Sequence, residues 1–517
     1  MVGGVTMSGV GKHAGEGMAL LAKLGHVQPV AVELGELFAA ANYELALVGG
    51  TVRDMLLGRP SSDLDFATSA PPAETERLLR RWSTMVWDIG KEFGTIGARK
   101  RVSAVSAGMP DGETLFDGAS VPDGETASLV DVVVEITTYR SDEYDPDSRK
   151  PEVVFGKTLD GDLSRRDFTI NAMAIRVPSL AFVDPFGGIN DLAKKVIRTP
   201  VTPEQSFSDD PLRMMRAARF AAQLGFGIEP TTFAAFCEMG SRLSIVSAER
   251  IQAEFNKLML SDNPAKGLEV LVDSELANYF LPELPALQLE IDEHHRHKDV
   301  YRHSLQVLNQ AIEQETDATG PVPYPDLVLR LAAILHDAGK PATRRFEKGG
   351  GVSFHGHDVV GARIIRKRMK ALKYDKVTTN DVCRLIELHL RFHGYGKGEW
   401  TDSAVRRYVT DAGPLLDRLH MLTRADCTTR NLRKATQLWQ SYDELEHRIA
   451  ALRLQEEIDA IRPDLDGNQI MQILGIKPGR IVGEAYKHML ALRMENGPMS
   501  EDEAITALKD WYQAYSA

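Results

Sequence analysis

Two carboxylates, Asp63 and Asp65, follow a glycine pair at short range in Leu47-Val-Gly49-Gly50-Thr-Val-Arg53-Asp-Met-Leu-Leu-Gly58 and Asp63-Leu-Asp65-Phe-Ala-Thr68. On a strand, residues i and i+2 share a face, so both carboxylates can converge on one hard cation. Oxygen ligands shared with substrate phosphates suit Mg2+. Glycines directly after a strand let backbone N–H groups approach a triphosphate with no Cβ in the way. Arg53, three residues on, can bring a fixed cation to the same phosphates. A third carboxylate, Glu135, stands in Val132-Val-Val-Glu-Ile-Thr-Thr-Tyr139, where it shares a strand face with Thr137 and Tyr139. Three carboxylates around two metals would lower the pKa of a 3′-hydroxyl and stabilise a leaving pyrophosphate. A glycine pair or an Asp-x-Asp alone reads as a turn or a solvated loop; the two in order favour this chemistry.

Asp210, Arg213, Arg216 and Arg219 recur every third residue, a slowly drifting stripe on one face of a helix expected over Pro211–Gln223. Cytosine and adenine each present an amino donor beside a ring-nitrogen acceptor. Asp210 as acceptor and Arg213 as donor complement both, whereas guanine and uracil present the reverse pattern. Arg216, Arg219 and the earlier Arg166 are expected to hold phosphate or brace Asp210. Further along, His303, His336-Asp337, His357, His389 and Asp426 form an ordered series separated by helical stretches. Such ligands can converge in a helical bundle on one or two divalent metals. His355 and His393 read as satisfied or exposed side chains, and His294-His-Arg-His297 lies outside the series.

The elements that must position these groups differ between the two halves of the chain. Strands are expected at Leu45–Val48, Asp63–Ala67, Ile96–Arg99 and Asp131–Arg140, with a helix from Thr51 to Leu57. Ser103–Val130 lacks periodicity and reads as an inserted surface loop. Beyond about Ile189 amphipathic helices dominate, among them Ala248–Leu260 and Pro264–Val272. The fold class is therefore an α/β head with a mixed sheet, followed by an all-α body. The expected domains are a flexible tail over 1–30, a head over 31–185, a neck over 186–285, a metal-binding bundle over 286–431 and a C-terminal helical region over 432–517. At 517 residues several cores are needed.

Composition excludes more than it selects. The three cysteines, Cys237, Cys383 and Cys427, lie far apart, which argues against a disulfide framework or a zinc knuckle and suits a reducing cytoplasm. No apolar run approaches the roughly 20 residues of a membrane helix. Met1–Gly17 is glycine-rich and lacks a signal-peptide stretch. A formal charge of −12 gives no overall attraction for nucleic acid, though a local basic face suffices to grip phosphate.

The stretch around Gly49, Gly50, Asp63 and Asp65 resembles the head of the class II CCA-adding enzymes and bacterial poly(A) polymerases. Arg165-Arg-Asp-Phe-Thr-Ile-Asn-Ala-Met-Ala174, Asp184-Pro-Phe-Gly-Gly-Ile-Asn-Asp-Leu192 and Asp209-Asp-Pro-Leu-Arg-Met-Met-Arg-Ala-Ala-Arg219 resemble three further segments of that family, in order. Asp209 stands where the family often has Glu. Ser247–Lys257 resembles the neck, where Arg242, Arg250 and Lys257 either meet RNA backbone or lie on a solvated face. The histidine–aspartate series resembles the HD phosphohydrolase superfamily over about Tyr301–Asn431. The resemblance implies CCA addition to tRNA 3′ ends from CTP and ATP, with Mg2+ at the head and a divalent metal of unspecified identity in the HD domain. Its rivals are a poly(A) polymerase and an HD metal phosphohydrolase acting on RNA ends or nucleotides.

Overall fold

The computed structural model describes residues 28–59, 63–90, 94–103, 129–140, 155–156, 158–289, 299–315, 322–348, 351–392, 400–428, 431–456 and 462–516. The tail Met1–Gly17, most of the 103–130 insertion, the His294–His297 cluster and His393 lie outside these residues. The chain forms two compact units, one built from residues up to Ser247 with Asp273–Leu276, the other from Ala248–Val272 and Ala277–Ala517.

The first unit is organised by a seven-stranded mixed sheet. Its strands are β1 (Leu45–Val48), β2 (Asp63–Thr68), β3 (Met85–Gly90), β4 (Thr95–Ser103), β5 (Leu129–Thr138), β6 (Ala174–Val177) and β7 (Ala181–Val183), in the order β3-β4-β5-β2-β1-β6-β7. Only β2 and β5 run parallel, with Asp65 opposite Glu135; the other neighbours are antiparallel. β1 is buried at all four positions, which explains its unbroken apolar run. The helices Gln28–Ala40 and Pro72–Trp82 pack on the sheet and bury Leu34, Phe38, Leu78 and Leu79. The four expected strands are present, and β3, β6 and β7 are additional. The helix expected from Thr51 spans Gly50–Leu56, and the arginine-bearing helix spans Leu212–Leu224, stopping at Gly225 in the left-handed conformation with φ 71°.

Among the described residues, the second unit is helical apart from turns and the two-residue strands Arg345–Phe346 and Val352–Ser353. Its helix Val300–Glu315 packs on Leu327–Leu335 and Leu416–Ala425, and Lys376–Leu388 packs on Leu327–Leu335. At its centre Arg330, 1% exposed, donates from Nε and Nη2 to Glu315 Oε2 at 2.9 and 2.8 Å and from Nη1 to the carbonyls of Met259 and Ser261, each at 2.8 Å. Burial raises the Glu315 carboxyl above its usual range, against the pull of Arg330. Leu465, Ile470, Ala485, Met489, Ala504 and Leu508 form a separate core among the last three helices. Arg330→Leu strands Glu315 and two carbonyls in an apolar interior, and is expected to cost about 3–5 kcal/mol. Urea unfolding checks this: the midpoint must fall in the variant.

Candidate functional site

The glycine turn sits where β1 ends. Gly49 has φ 72° and ψ −139°, a backbone region that favours glycine, and it opens the helix Gly50–Leu56. A Cβ on Gly49 would stand 2.9 Å from Arg166 Nη1 and 3.9 Å from Asp65 Oδ2, so the turn, a cation and a carboxylate share one small volume. Asp65 is further held by its backbone N–H, which donates to Thr51 Oγ1 at 3.2 Å. The parallel β2–β5 register sets Glu135 opposite Asp65, and Asp63 lies two positions earlier opposite Val133. Asp65 and Glu135 are both half-buried. Carboxylate oxygens on neighbouring strands, beside a turn rich in N–H donors, are a donor set that fits Mg2+.

The arginines are more constrained than their spacing suggests. Arg53 lies beside Gly50, but it donates to both oxygens of Asp54 at 2.9 and 2.8 Å and to Asn171 Oδ1 at 2.7 Å. Arg213, 6% exposed, donates to Ser206 Oγ at 2.9 Å and to the Arg165 carbonyl at 2.6 Å. It therefore ties the helix Pro203–Asp209 to the Arg165–Asp167 segment. Arg216 donates to Asp167 Oδ2 at 2.9 and 2.6 Å, and Arg219 donates to Gln223 at 2.7 Å. The guanidinium carbons of Arg53, Arg216 and Arg219 lie 5.1, 5.7 and 4.1 Å from the centre of the Phe220 ring.

One sequence expectation needs correction here. Asp210 is not on the helical stripe: it caps the end of Pro203–Asp209 in extended conformation, and its Oδ1 accepts from the Leu212 N–H at 3.1 Å. Pro211 explains this, since the residue before proline is driven out of the helical region. Arg216 forms an ion pair with Asp167.

Sequence reasoning missed the carboxylates that organise this cluster. Asp162, on the short helix Leu159–Ser164, accepts from Arg165 and Arg166. Burial would raise its carboxyl, but Arg166 and Arg165 outweigh that and hold it below the usual range. Asp167 accepts from Arg216 and from Asn171 Nδ2 at 2.9 Å, while Asn171 accepts from Arg53. Despite burial, Arg216 and Asn171 keep Asp167 ionised to well below the ordinary carboxylate range. The excess of arginine in one short segment is the signal that buried carboxylates were needed.

In the second unit all six residues of the histidine–aspartate series converge. His303, His336 and Asp426 offer atoms within 4.8 Å of one another, and so do Asp337, His357 and His389. Asp337 links the triads, with Oδ2 at 3.2 Å from His336 Nε2 and Oδ1 at 3.3 Å from His357 Nε2. Helix ends place these groups: His336 follows Leu327–Leu335, His357 begins His357–Ala371 and His389 follows Lys376–Leu388. His336, His357 and His389 each direct Nδ1 to the carbonyl three residues earlier, at 2.8, 2.8 and 2.6 Å. Nδ1 therefore carries the proton and Nε2 presents its lone pair inward. Those three Nε2 atoms are buried with no hydrogen-bond partner. Buried nitrogens pointed at carboxylates fit divalent metal ions. Burial lowers His389 to about 4, which keeps that imidazole neutral. Burial opposes ionisation of Asp337, yet its carboxyl lies well below the usual carboxylate range, and Lys340 Nζ donates to it at 2.6 Å. Lys340, and Thr428 at 3.1 Å from His303 Nδ1, were not anticipated. A Cβ on Gly339 would meet the His357 carbonyl at 2.0 Å, so the turn after Asp337 lies directly on the His357 helix.

Comparison with known proteins yields three family matches. Residues 45–108 and 115–198 match the poly A polymerase head domain, 225–287 a probable RNA and SrmB-binding site of polymerase A, and 300–431 the HD domain. An A-adding tRNA nucleotidyltransferase of Deinococcus radiodurans is 30% identical over 472 residues, 90% of this chain and 95% of that protein. A CCA-adding enzyme of Streptococcus suis is 38% identical over 263 residues, 51% of this chain and 57% of that protein, so the similarity spans little more than half of it. Among solved structures, the Bacillus stearothermophilus CCA-adding enzyme in complex with CTP has a TM-score of 0.63 at 21% identity, covering 96% of this chain and 98% of that one. The Thermotoga maritima CCA-adding enzyme complexed with tRNA scores 0.57 at 19% identity, covering 93% and 95%. These likenesses show that the fold is shared. Among the described residues, no helix is long and apolar enough to cross a membrane.

Proposed function

Because this chain belongs to the tRNA nucleotidyltransferase and poly(A) polymerase family, with an HD domain, we propose that it adds CCA to tRNA 3′ ends from CTP and ATP without a template. The observation that carries the reading is the pairing of Asp65 with Glu135 across parallel strands, beside the Gly49 turn and Arg166. Asp63, Asp65 and Glu135 would hold Mg2+, which activates the 3′-hydroxyl and stabilises the departing pyrophosphate. Gly49 and Gly50 offer backbone N–H groups to the triphosphate, while Arg53, Arg166, Arg216 and Arg219 surround it with positive charge. Asp210 and Arg213 select the base. The neck over 186–285 grips RNA, and the bundle over 286–431 binds divalent metal through His303, His336, Asp337, His357, His389 and Asp426. A cytoplasmic tRNA-processing role accords with the absence of a membrane-spanning helix among the described residues.

A second reading has its own support: the relative aligned over nearly its whole length is an A-adding enzyme, whereas the CCA-adding enzyme of Streptococcus suis aligns over 57% of its length. Under that reading the protein completes ends that already carry CC. Supplying the four nucleoside triphosphates singly, on tRNA ending before CCA and on tRNA ending in CC, separates the two. CCA addition predicts CTP incorporation on the first substrate and ATP incorporation on the second; incorporation of ATP alone, on the second substrate only, establishes A addition.

UTP and GTP should be disfavoured by roughly 10²-fold or more, because a site built to hydrogen-bond one pattern leaves polar groups unpaired against the other. Asp210→Ala should erase most of this preference while leaving triphosphate affinity within about threefold, since it removes a base contact and no phosphate contact. Unchanged discrimination in that variant would move base selection to other residues.

A further inference from the structure

Asp162 is a buried carboxylate set between two arginines beside the candidate nucleotide site. Its side chain is 1% exposed, and it divides its two oxygens between two neighbouring guanidinium groups. Oδ1 accepts from Arg165 Nε at 3.2 Å and Nη2 at 3.0 Å, and from the Arg140 backbone N–H at 3.4 Å. Oδ2 accepts from Arg166 Nε at 3.3 Å and Nη2 at 3.1 Å. Binding through Nε and Nη2 grips one edge of the Arg166 fork and turns the Nη1 edge elsewhere. That Nη1 is the atom 2.9 Å from the Cβ position of Gly49, the turn that also faces Asp65 Oδ2.

We propose that Asp162 is a positioning residue for nucleotide binding: it fixes Arg166 so that its outward edge meets the triphosphate at the Gly49 turn. The role rests on the nucleotidyl-transfer reading of the site. A single carboxylate between two cations leaves a net positive charge for the phosphates. It also orders a long side chain before the nucleotide arrives, so the rotamer entropy is not lost on binding. Asp162 lies one helical turn before Arg166 and does not itself face the turn, so it acts on the nucleotide only through the arginines.

The test uses the full-length protein and direct calorimetry with Mg2+-CTP and Mg2+-ATP, alongside steady-state kinetics on tRNA. Asp162→Asn should raise the dissociation constants of both nucleotides by the same factor, about tenfold, as expected for loss of a charge-assisted hydrogen bond. KM should rise in parallel with kcat within about threefold, and tRNA affinity and discrimination against UTP and GTP should not change. Arg166→Ala provides the control that a structural role would fail. If Asp162 acts through Arg166, adding Asp162→Asn to Arg166→Ala should weaken nucleotide binding by less than about twofold further. Unchanged affinities in the single variant, or a full additional factor in the double variant, overturn the proposal. Asp162→Glu keeps the charge and should restore most of the affinity; failure to do so also overturns it. A wild-type protein that binds neither nucleotide would instead overturn the nucleotidyl-transfer reading.

Discussion

Asp65→Ala is expected to lower single-turnover incorporation of both CTP and ATP by about 10³-fold or more, with tRNA affinity unchanged. The magnitude follows from what Asp65 does at once. It stands opposite Glu135 on the adjoining parallel strand, and its Oδ2 is 3.9 Å from the Cβ position of the glycine turn. On the proposed reading, removing it would take away a metal ligand, and with it both the activation of the 3′-hydroxyl and the neutralisation of the leaving group. Asp65→Asn should be nearly as damaging, because it keeps the shape but not the charge that Mg2+ requires. Glu135→Ala should lose activity to a similar degree. Rapid-quench assays in saturating Mg2+ read these effects directly. Turnover within tenfold of wild type in either Asp65 variant would place the metals elsewhere.

The combined variant His336→Ala, Asp337→Ala should lose its bound divalent metal while retaining nucleotide addition within about twofold. Each substitution removes a ligand from a different triad, and Asp337 contacts imidazoles of both. The proposed transfer chemistry draws on Asp63, Asp65, Glu135 and the arginines of the first unit and gives the HD metals no part in it. Any phosphohydrolase activity on RNA ends or nucleotides should vanish with the metal. Folding is the competing effect, since a metal that joins several helices contributes stability. Metal analysis of the purified variant, thermal unfolding and nucleotide addition measured together separate the two. A folded double variant that binds no metal and cannot add nucleotides would contradict the independence of the two sites.

Much of the framework was legible in the residues themselves. Leu45–Val48 is an unbroken apolar run ended by a glycine pair, and a fully buried strand admits little else. The ordered series from His303 to Asp426 pointed to one shared site, and the six side chains do converge as candidate metal ligands. Its division into two triads was not legible, because grouping depends on how helices far apart in sequence pack. β3 was missed because Met85-Val-Trp-Asp-Ile-Gly90 shows no clean alternation, and its strand character comes from pairing with β4. The arginines mark the deeper limit. Spacing by three put Arg213, Arg216 and Arg219 on one helix, as found, but their hydrogen-bond partners are set by tertiary contacts. Arg53 bonds Asn171 from 118 residues away, and Arg216 bonds Asp167 from 49. A sequence can advertise charge, but the carboxylate that claims it is a property of the fold.

The most direct measurement is to sequence the product ends formed when the full-length protein acts on a tRNA transcript that stops at the residue before CCA, with CTP, ATP and Mg2+ all present. CCA addition predicts products that gain C, C and A in that order and then stop. Unextended transcript, or a tail of repeated adenosines, would contradict it.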